Sequence, residues 1–290
     1  MAWVEASDGV RLYAEVHGDG VPLVFSCAFC TTHENWRAQV APLVDAGARV
    51  ILWDFRGHGE SGAPADPTGF SIEQVVEDLG SVLDWAAPGE PAVLAGLSFG
   101  GLASLHFALR WPERVRALLL VGSGPGFKNP DAQARWEKQV GRTGEILESK
   151  GFEAFVSGRA GATTIGRNPE LPAARAAAAA ISAQNPSSVA EFGRRVAGPA
   201  PCVIDRLQEI EAPALVLVGE EDEAYQRAAE VMAAKLPRAQ LERIPAAGHI
   251  ANIEAEALFN AHAVTFFESI ARDATVSRGA SPLESPQPGD

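Results

Sequence analysis

The hexapeptide Gly96-Leu97-Ser98-Phe99-Gly100-Gly101 sets a serine two residues from a glycine on either side. A serine hydroxyl is a weak nucleophile, so an enzyme that attacks with one must expose it on a tight turn and bring a base within hydrogen-bond reach. The surroundings of Ser98 suit the first condition. Val93, Leu94 and Ala95 before it read as a buried strand and the residues after it as a helix. Gly96 and Gly100 carry no side chains where the two backbones would approach. A serine that merely caps a helix after a glycine turn gives the same five residues, but the strand-turn-helix setting favours the nucleophile. A second group, Cys27-x-x-Cys30 followed by His33, has the residue types of a metal or redox pair. No second Cys-x-x-Cys accompanies it, which leaves too few ligands for a closed metal site. Small thiols also fill space beneath a pocket.

The hydrophobic rhythm of the chain supplies a scaffold for these groups. Short apolar runs at 11–16, 22–26, 49–53, 92–95 and 117–121 alternate with amphipathic stretches at 34–45, 71–85 and 98–110. That alternation predicts an α/β fold, a mostly parallel central sheet with helices on both faces. The rhythm stops at Gly122-Ser123-Gly124-Pro125-Gly126 and resumes with a strand at 214–218. Helix candidates at 131–149, 151–157, 171–183 and 187–196 fill the interval, so residues 126–199 are expected to form a helical insert. The core then comprises residues 1–125 and 200–272, closing with a helix at 223–235, a strand at 240–244 and a helix at 252–271. From Asp273 the composition turns to Ser, Pro, Gly and charge, and residues 273–290 are expected to be a disordered tail.

At 290 residues, 47% apolar and 21% charged, the chain can bury a full-sized core. Its net charge of −13 argues against a surface that tracks nucleic-acid phosphates. The start Met1-Ala2-Trp3-Val4-Glu5 lacks the basic and apolar regions of a signal peptide, and no run of about 18 apolar residues suggests a membrane span. A cytoplasmic location is therefore expected. Three cysteines, Cys27, Cys30 and Cys202, fit reduced thiols better than a disulfide framework. The expected partner is a small-molecule acyl substrate, with no nucleic acid, membrane, metal or organic cofactor; oligomeric state is left open.

The Ser98 turn and this rhythm together resemble the α/β-hydrolase superfamily, over roughly residues 11–267. The resemblance implies the order nucleophile, acid, histidine. The acid loop after the resumed strand is matched by Gly219-Glu220-Glu221-Asp222, whose aspartate is Asp222, with Glu221 as the alternative. The histidine loop after the last strand is matched by Ile244-Pro245-Ala246-Ala247-Gly248-His249. On that pattern His249 takes the proton of Ser98 and returns it to the leaving group, while Asp222 fixes the imidazole tautomer. His17, His33, His58, His106 and His262 fall outside the matching loops and read as structural. The stretch 53–62, Trp-Asp-Phe-Arg-Gly-His-Gly-Glu-Ser-Gly, resembles an architectural loop of the family.

The family stabilises its oxyanion with two backbone N–H groups, one from the residue after the nucleophile, here Phe99. The second comes from the loop after the third strand, where Cys27-Ala28-Phe29-Cys30 makes Phe29 the expected donor. Ala28 stands where the family carries a glycine, which predicts a restricted backbone at that position. The insert would act as a lid over the carboxyl ends of the strands, with one or two of Phe127, Trp136, Phe152, Phe155, Ile165 and Phe192 reaching substrate. Its ten basic and seven acidic residues would suit a carboxylate-bearing substrate, or simply a solvated helix face.

Residue types then narrow the chemistry. Serine at 98 argues against epoxide and halide hydrolysis, which use an aspartate nucleophile in this superfamily. The only tyrosines, Tyr13 and Tyr225, lie outside the insert. Ile250 after His249 replaces the lysine of hydroxynitrile lyases. The expected function is a cofactor-free hydrolase of a small carboxylic ester, lactone or thioester. A carbon–carbon bond hydrolase or a perhydrolase of the haloperoxidase type keeps the same triad, and a non-catalytic ligand-binding protein keeps the same fold.

Overall fold

The computed structural model describes residues 1–279, with side chains through Arg272. β1 (Ala2–Glu5) and β2 (Arg11–His17) form an antiparallel hairpin. β3 (Val21–Ser26), β4 (Ala48–Trp53), β5 (Ala92–Leu97), β6 (Val115–Val121), β7 (Ala214–Gly219) and β8 (Ala239–Ile244) follow. They build one eight-stranded sheet in the order β1-β2-β4-β3-β5-β6-β7-β8. β2 runs antiparallel to β1 and β4, and every pairing from β4 to β8 is parallel. β5 and β7 are buried along their whole length, as strands covered on both faces must be. β1 was not expected from the sequence: four residues with one buried side chain give no readable alternation.

The helices are α1 (Arg37–Asp45), α2 (Ile72–Ala86), α3 (Phe99–Arg110), α4 (Pro130–Val156), α5 (Pro172–Ser182), α6 (Pro186–Phe192), α7 (Glu223–Lys235), α8 (Ala251–Glu254) and α9 (Glu256–Gly279). Local chemistry sets many of their ends. The Ser71 hydroxyl accepts the Gln74 N–H to open α2, and Ile72, Val75, Val76, Leu79, Val82 and Leu83 bury one face of it. α3 ends at Arg110, two residues before Pro112.

The connection β3-α1-β4 steps one way along the sheet, whereas β4-α2-β5 and β5-α3-β6 step the other way. Right-handed crossovers running in opposite directions place their helices on opposite faces. α1 therefore shares a face with α9, which packs on it, and α2 and α3 lie together on the other. The reversal falls between β3 and β5, so the loops leaving those strands flank a crevice at their carboxyl ends. Ser98 and the stretch from Cys27 to Cys30 are those loops.

Between β6 and β7 the chain runs through the helices α4 to α6. Gly151, at φ 75° and ψ 174°, breaks α4 where the sequence placed two separate helices. The helix expected at 187–196 is α only through Phe192 and continues as a π turn at Gly193–Ala197. The helix expected at 252–271 is interrupted at Ala255 and then runs on to Gly279. Helix thus reaches seven residues into the expected tail, through Gly279; 280–290 lie outside the described residues. Among the described residues no helix is long and apolar enough to cross a membrane.

Candidate active site

Ser98 joins β5 to α3 with φ 54° and ψ −115°, a backbone that an L-residue adopts only under strain of about 1–3 kcal/mol. Neighbouring groups hold it there. The Ser98 N–H donates to the Val121 carbonyl at 2.9 Å, and the Ser123 hydroxyl donates to the Ser98 carbonyl at 2.8 Å. The glycines are steric necessities: a Cβ on Gly96 would lie 2.3 Å from the Gly100 carbonyl carbon, and one on Gly100 would lie 2.3 Å from the Ser26 oxygen. The turn thereby packs backbone to backbone on the end of β3.

Asp222 and His249 meet as the resemblance implied, with Asp222 Oδ2 and His249 Nδ1 2.8 Å apart. Backbone bonds from Glu220 to Ile244 and from Glu221 to Ala247 stitch their loops together. Gly219 lies so close that an added Cβ would stand 2.2 Å from the Gly248 oxygen. Gly122, at φ 46°, ends β6 directly under the pair, where a Cβ would come within 3.1 Å of His249 Nδ1 and 3.3 Å of Asp222 Oδ2. Gly122→Ala combines left-handed strain with this crowding, and we expect it to lower kcat by roughly 10- to 100-fold. Steady-state rates on any turned-over ester check this; a variant of unchanged kcat would show that the pair tolerates displacement. Glu221, the alternative acid, points outward to an ion pair with Arg167.

Ser98 and His249 are not hydrogen-bonded to each other. The Ser98 hydroxyl instead shares a 3.1 Å hydrogen bond with the hydroxyl of Tyr225. The Tyr225 ring stacks on the His249 imidazole, with centroids 4.7 Å apart and planes at 25°. Burial pushes the Tyr225 phenol up, the bond to Ser98 opposes this, and the Asp222 charge adds to it, so the hydroxyl stays neutral. Sequence reasoning missed this residue by asking only whether tyrosines lay within the insert. The available signal was helical spacing. Asp222 is the N-cap of α7 and Tyr225, three residues on, leaves the same helix end.

The loop after β3 also departs from expectation. The left-handed residue is Cys30, at φ 70°, and not Ala28, so alanine in the family's glycine position carries no such penalty. Cys30, Ser98 and Ala246 are the three non-glycine residues of positive φ among those described, and they sit in the three loops just described. The Cys30 N–H donates to His58 Nε2 at 3.3 Å, and its carbonyl accepts from Gln184 Nε2 of the insert at 3.1 Å. The N–H groups of Phe29 and Phe99 have no hydrogen-bond partner among the described residues; Phe99 is the first residue of α3, where helices leave donors free. His33 is held by Asp54 at 2.8 Å rather than by the cysteine pair, and both thiols are buried and form no disulfide. No three His, Cys, Asp or Glu side chains gather as a metal set among the described residues.

The stretch 53–62 is architectural in its contacts. Asp54 accepts the N–H groups of His33 and Glu60, and buried Arg56 grips Asp78 through two 2.6 Å bonds. Its His58 braces the loop bearing Phe29. Burial lowers the His58 imidazole from 6.5 to about 4, against weaker support from the Arg56 carbonyl and Asp54. The unfolded chain takes up a proton near pH 6.5 that the folded chain refuses until about pH 4. Stability is therefore lost as pH falls through that window, by on the order of 3 kcal/mol. We expect His58→Gln to keep an acceptor for Cys30 and to flatten this part of the curve, read from urea midpoints between neutral and acid pH. An unaltered slope would assign the acid sensitivity elsewhere.

The insert touches every one of these loops. Gln184 accepts the Gly59 N–H and donates to Cys30, while Arg167 donates to the Ala246 carbonyl and pairs with Glu221 and Glu254. Phe192 is fully buried against Phe99 at 5.3 Å, Phe55 at 5.7 Å and His58 at 4.5 Å. Of the insert's aromatic candidates it is the one in ring contact with Phe99 among the described residues, whereas Phe127 lies tilted against Trp136 and Phe152 meets Phe155 edge-on. Lys128, Arg167, Arg175, Arg194 and Arg195 each face a carboxylate, so much of the insert's positive charge is already matched.

Residues 21–256 match the family model described as the alpha/beta hydrolase fold. A Bacillus subtilis (strain 168) protein provisionally named 2-succinyl-6-hydroxy-2,4-cyclohexadiene-1-carboxylate synthase is 28% identical over 277 residues, which cover 92% of this chain and 98% of its own. A thermophilic esterase from Thermogutta terrifontis, solved with malate bound, superposes with a TM-score of 0.81 at 25% identity, over 93% of this chain and 98% of the esterase. Est816, described as an N-acyl homoserine lactone degrading enzyme, gives a TM-score of 0.70 at 31% identity, over 91% of this chain and all of its own.

Proposed function

The chain belongs to the alpha/beta hydrolase family, and from that premise we propose that it is a cofactor-free hydrolase of small carboxylic esters, lactones or thioesters. Ser98 is the nucleophile, His249 the base and Asp222 the acid. The observation that carries this reading is the 2.8 Å Asp222–His249 pair beside a serine forced into left-handed backbone.

Attack requires Ser98 to turn about χ1 from Tyr225 toward His249, a fast motion for so small a side chain. Oγ then bonds to the carbonyl carbon as its proton passes to His249 Nε2. Asp222 holds the Nδ1 proton and stabilises the imidazolium. The free N–H groups of Phe99 and Phe29 receive the oxyanion, and the loop braced by His58 and Gln184 keeps Phe29 in place. Collapse expels the leaving group with the proton from His249. Water then repeats the sequence on the acyl-enzyme.

The insert acts as the lid, with Phe192 as its apolar contact near the nucleophile and water excluded from the reacting carbonyl. The carboxylates already facing Arg167, Arg175, Arg194 and Arg195 favour uncharged acyl groups over carboxylate-bearing ones.

A fluorophosphonate probe followed by peptide mass spectrometry tests the assignment. The expected adduct is on Ser98. An adduct elsewhere, or none, overturns the reading. A substrate panel of esters, lactones and thioesters, set against ring-cleavage diketones and peracid formation, separates hydrolysis of acyl bonds from the other chemistries that use this triad.

A further inference from the structure

Tyr225 touches the nucleophile and the base at once. Its hydroxyl is 3.1 Å from Ser98 Oγ and its ring lies along the imidazole of His249. The hydroxyl therefore reaches Ser98 from the side on which the stacked imidazole lies. The oxyanion donors Phe29 and Phe99 belong to the loops after β3 and β5 instead. His249 must hand its proton to the departing oxygen, so the leaving group exits on the side where Tyr225 stands.

The Tyr225 hydroxyl is hydrogen-bonded to Ser98 Oγ in the resting site. When Ser98 turns to His249 and bonds to carbon, that donor is released beside the reacting centre and free to take a new acceptor. The leaving-group oxygen is the acceptor that then appears beside it.

We infer that Tyr225 is a fourth catalytic side chain, donating a hydrogen bond to the leaving-group oxygen as the acyl bond breaks; this rests on the assignment of Ser98, His249 and Asp222 above. The scissile electron pair moves onto that oxygen, which takes its proton from His249 Nε2, while Tyr225 keeps its own. Help of this kind matters most for a strongly basic leaving group. The site is thereby fitted to alkyl esters and lactones, whose leaving oxygens are alkoxides, rather than to activated aryl esters alone.

The test compares ethyl acetate with 4-nitrophenyl acetate in wild type and Tyr225→Phe. We expect kcat/KM for the ethyl ester to fall roughly 10- to 100-fold, mainly in kcat, while the nitrophenyl ester stays near wild type. Equal losses on both esters, or no loss on either, overturn the inference. As a second arm that preserves shape, 3,5-difluorotyrosine is incorporated in a Tyr13→Phe background, which replaces Tyr225 alone because the chain has two tyrosines. The alkaline limb of the ethyl-ester profile should move to lower pH without a matching move for the nitrophenyl ester; an unmoved limb overturns the inference. Fluorophosphonate labelling separates the two levels. If Ser98 of the wild type is unlabelled, the triad and Tyr225 fall together, whereas a labelled Ser98 with equal ester losses removes Tyr225 only.

Discussion

Ser98→Ala is expected to lower kcat/KM by about 10⁵- to 10⁶-fold on every ester the wild type hydrolyses. Removing the hydroxyl removes the acyl-enzyme route, so the large loss follows from a change of pathway and not from one weakened contact. The donors at Phe29 and Phe99 and the substrate contacts remain, so a residual advantage over water of about 10³- to 10⁴-fold should survive. Alanine at φ 54° is strained much as serine is, and the stability change should be limited to the lost bond with Tyr225, about 1 kcal/mol. Rates and melting curves measured together make the prediction sharp. Undiminished turnover would mean that another residue attacks.

Asp222→Asn should cost about 10⁴-fold in kcat with the fold intact. The reason is tautomeric. A carboxylate accepts from His249 Nδ1 and leaves Nε2 free to take the serine proton. An amide can turn its NH2 toward Nδ1, which moves the ring proton to Nε2 and blocks the base. Asparagine fills nearly the same volume, and Asp222 makes no side-chain cap to α7, so helix stability gives no competing effect. Glu221→Gln is the matched control. Its carboxylate faces Arg167 at the surface, and activity should stay near wild type. A larger loss from Glu221→Gln than from Asp222→Asn would reverse the assignment of the acid.

Both predictions concern residues that could be read before any coordinates. Ser98 was legible because a nucleophile turn has local steric demands, and Gly96 and Gly100 answer them within five residues. β3 to β8 were legible to within a residue or two at most ends, and for β3 to β7 the reason is that strands covered on both faces are continuous apolar runs. The break at Gly151 follows from a glycine inside a helical pattern. Asp222 and His249 came from their places after β7 and β8; their pairing depends on the close approach of Gly219 to Gly248, which spacing along the chain does not reveal.

Other features required the folded chain. Ala28 suggested a restricted loop, yet the left-handed backbone fell on Cys30, because His58 and Gln184 hold the two sides of that residue from 28 and 154 positions away. Tyr225 looked irrelevant while position relative to the insert was the criterion, and proved to touch Ser98 across 127 residues. The sequence by itself determined the α/β rhythm and the turn at Ser98, since periodicity and glycine sterics act over a few residues, and the family resemblance supplied the candidate acid and base. Only the tertiary structure decided which hydroxyl meets which, because a hydrogen bond is set within tenths of an ångström by the packing of segments that are remote along the chain.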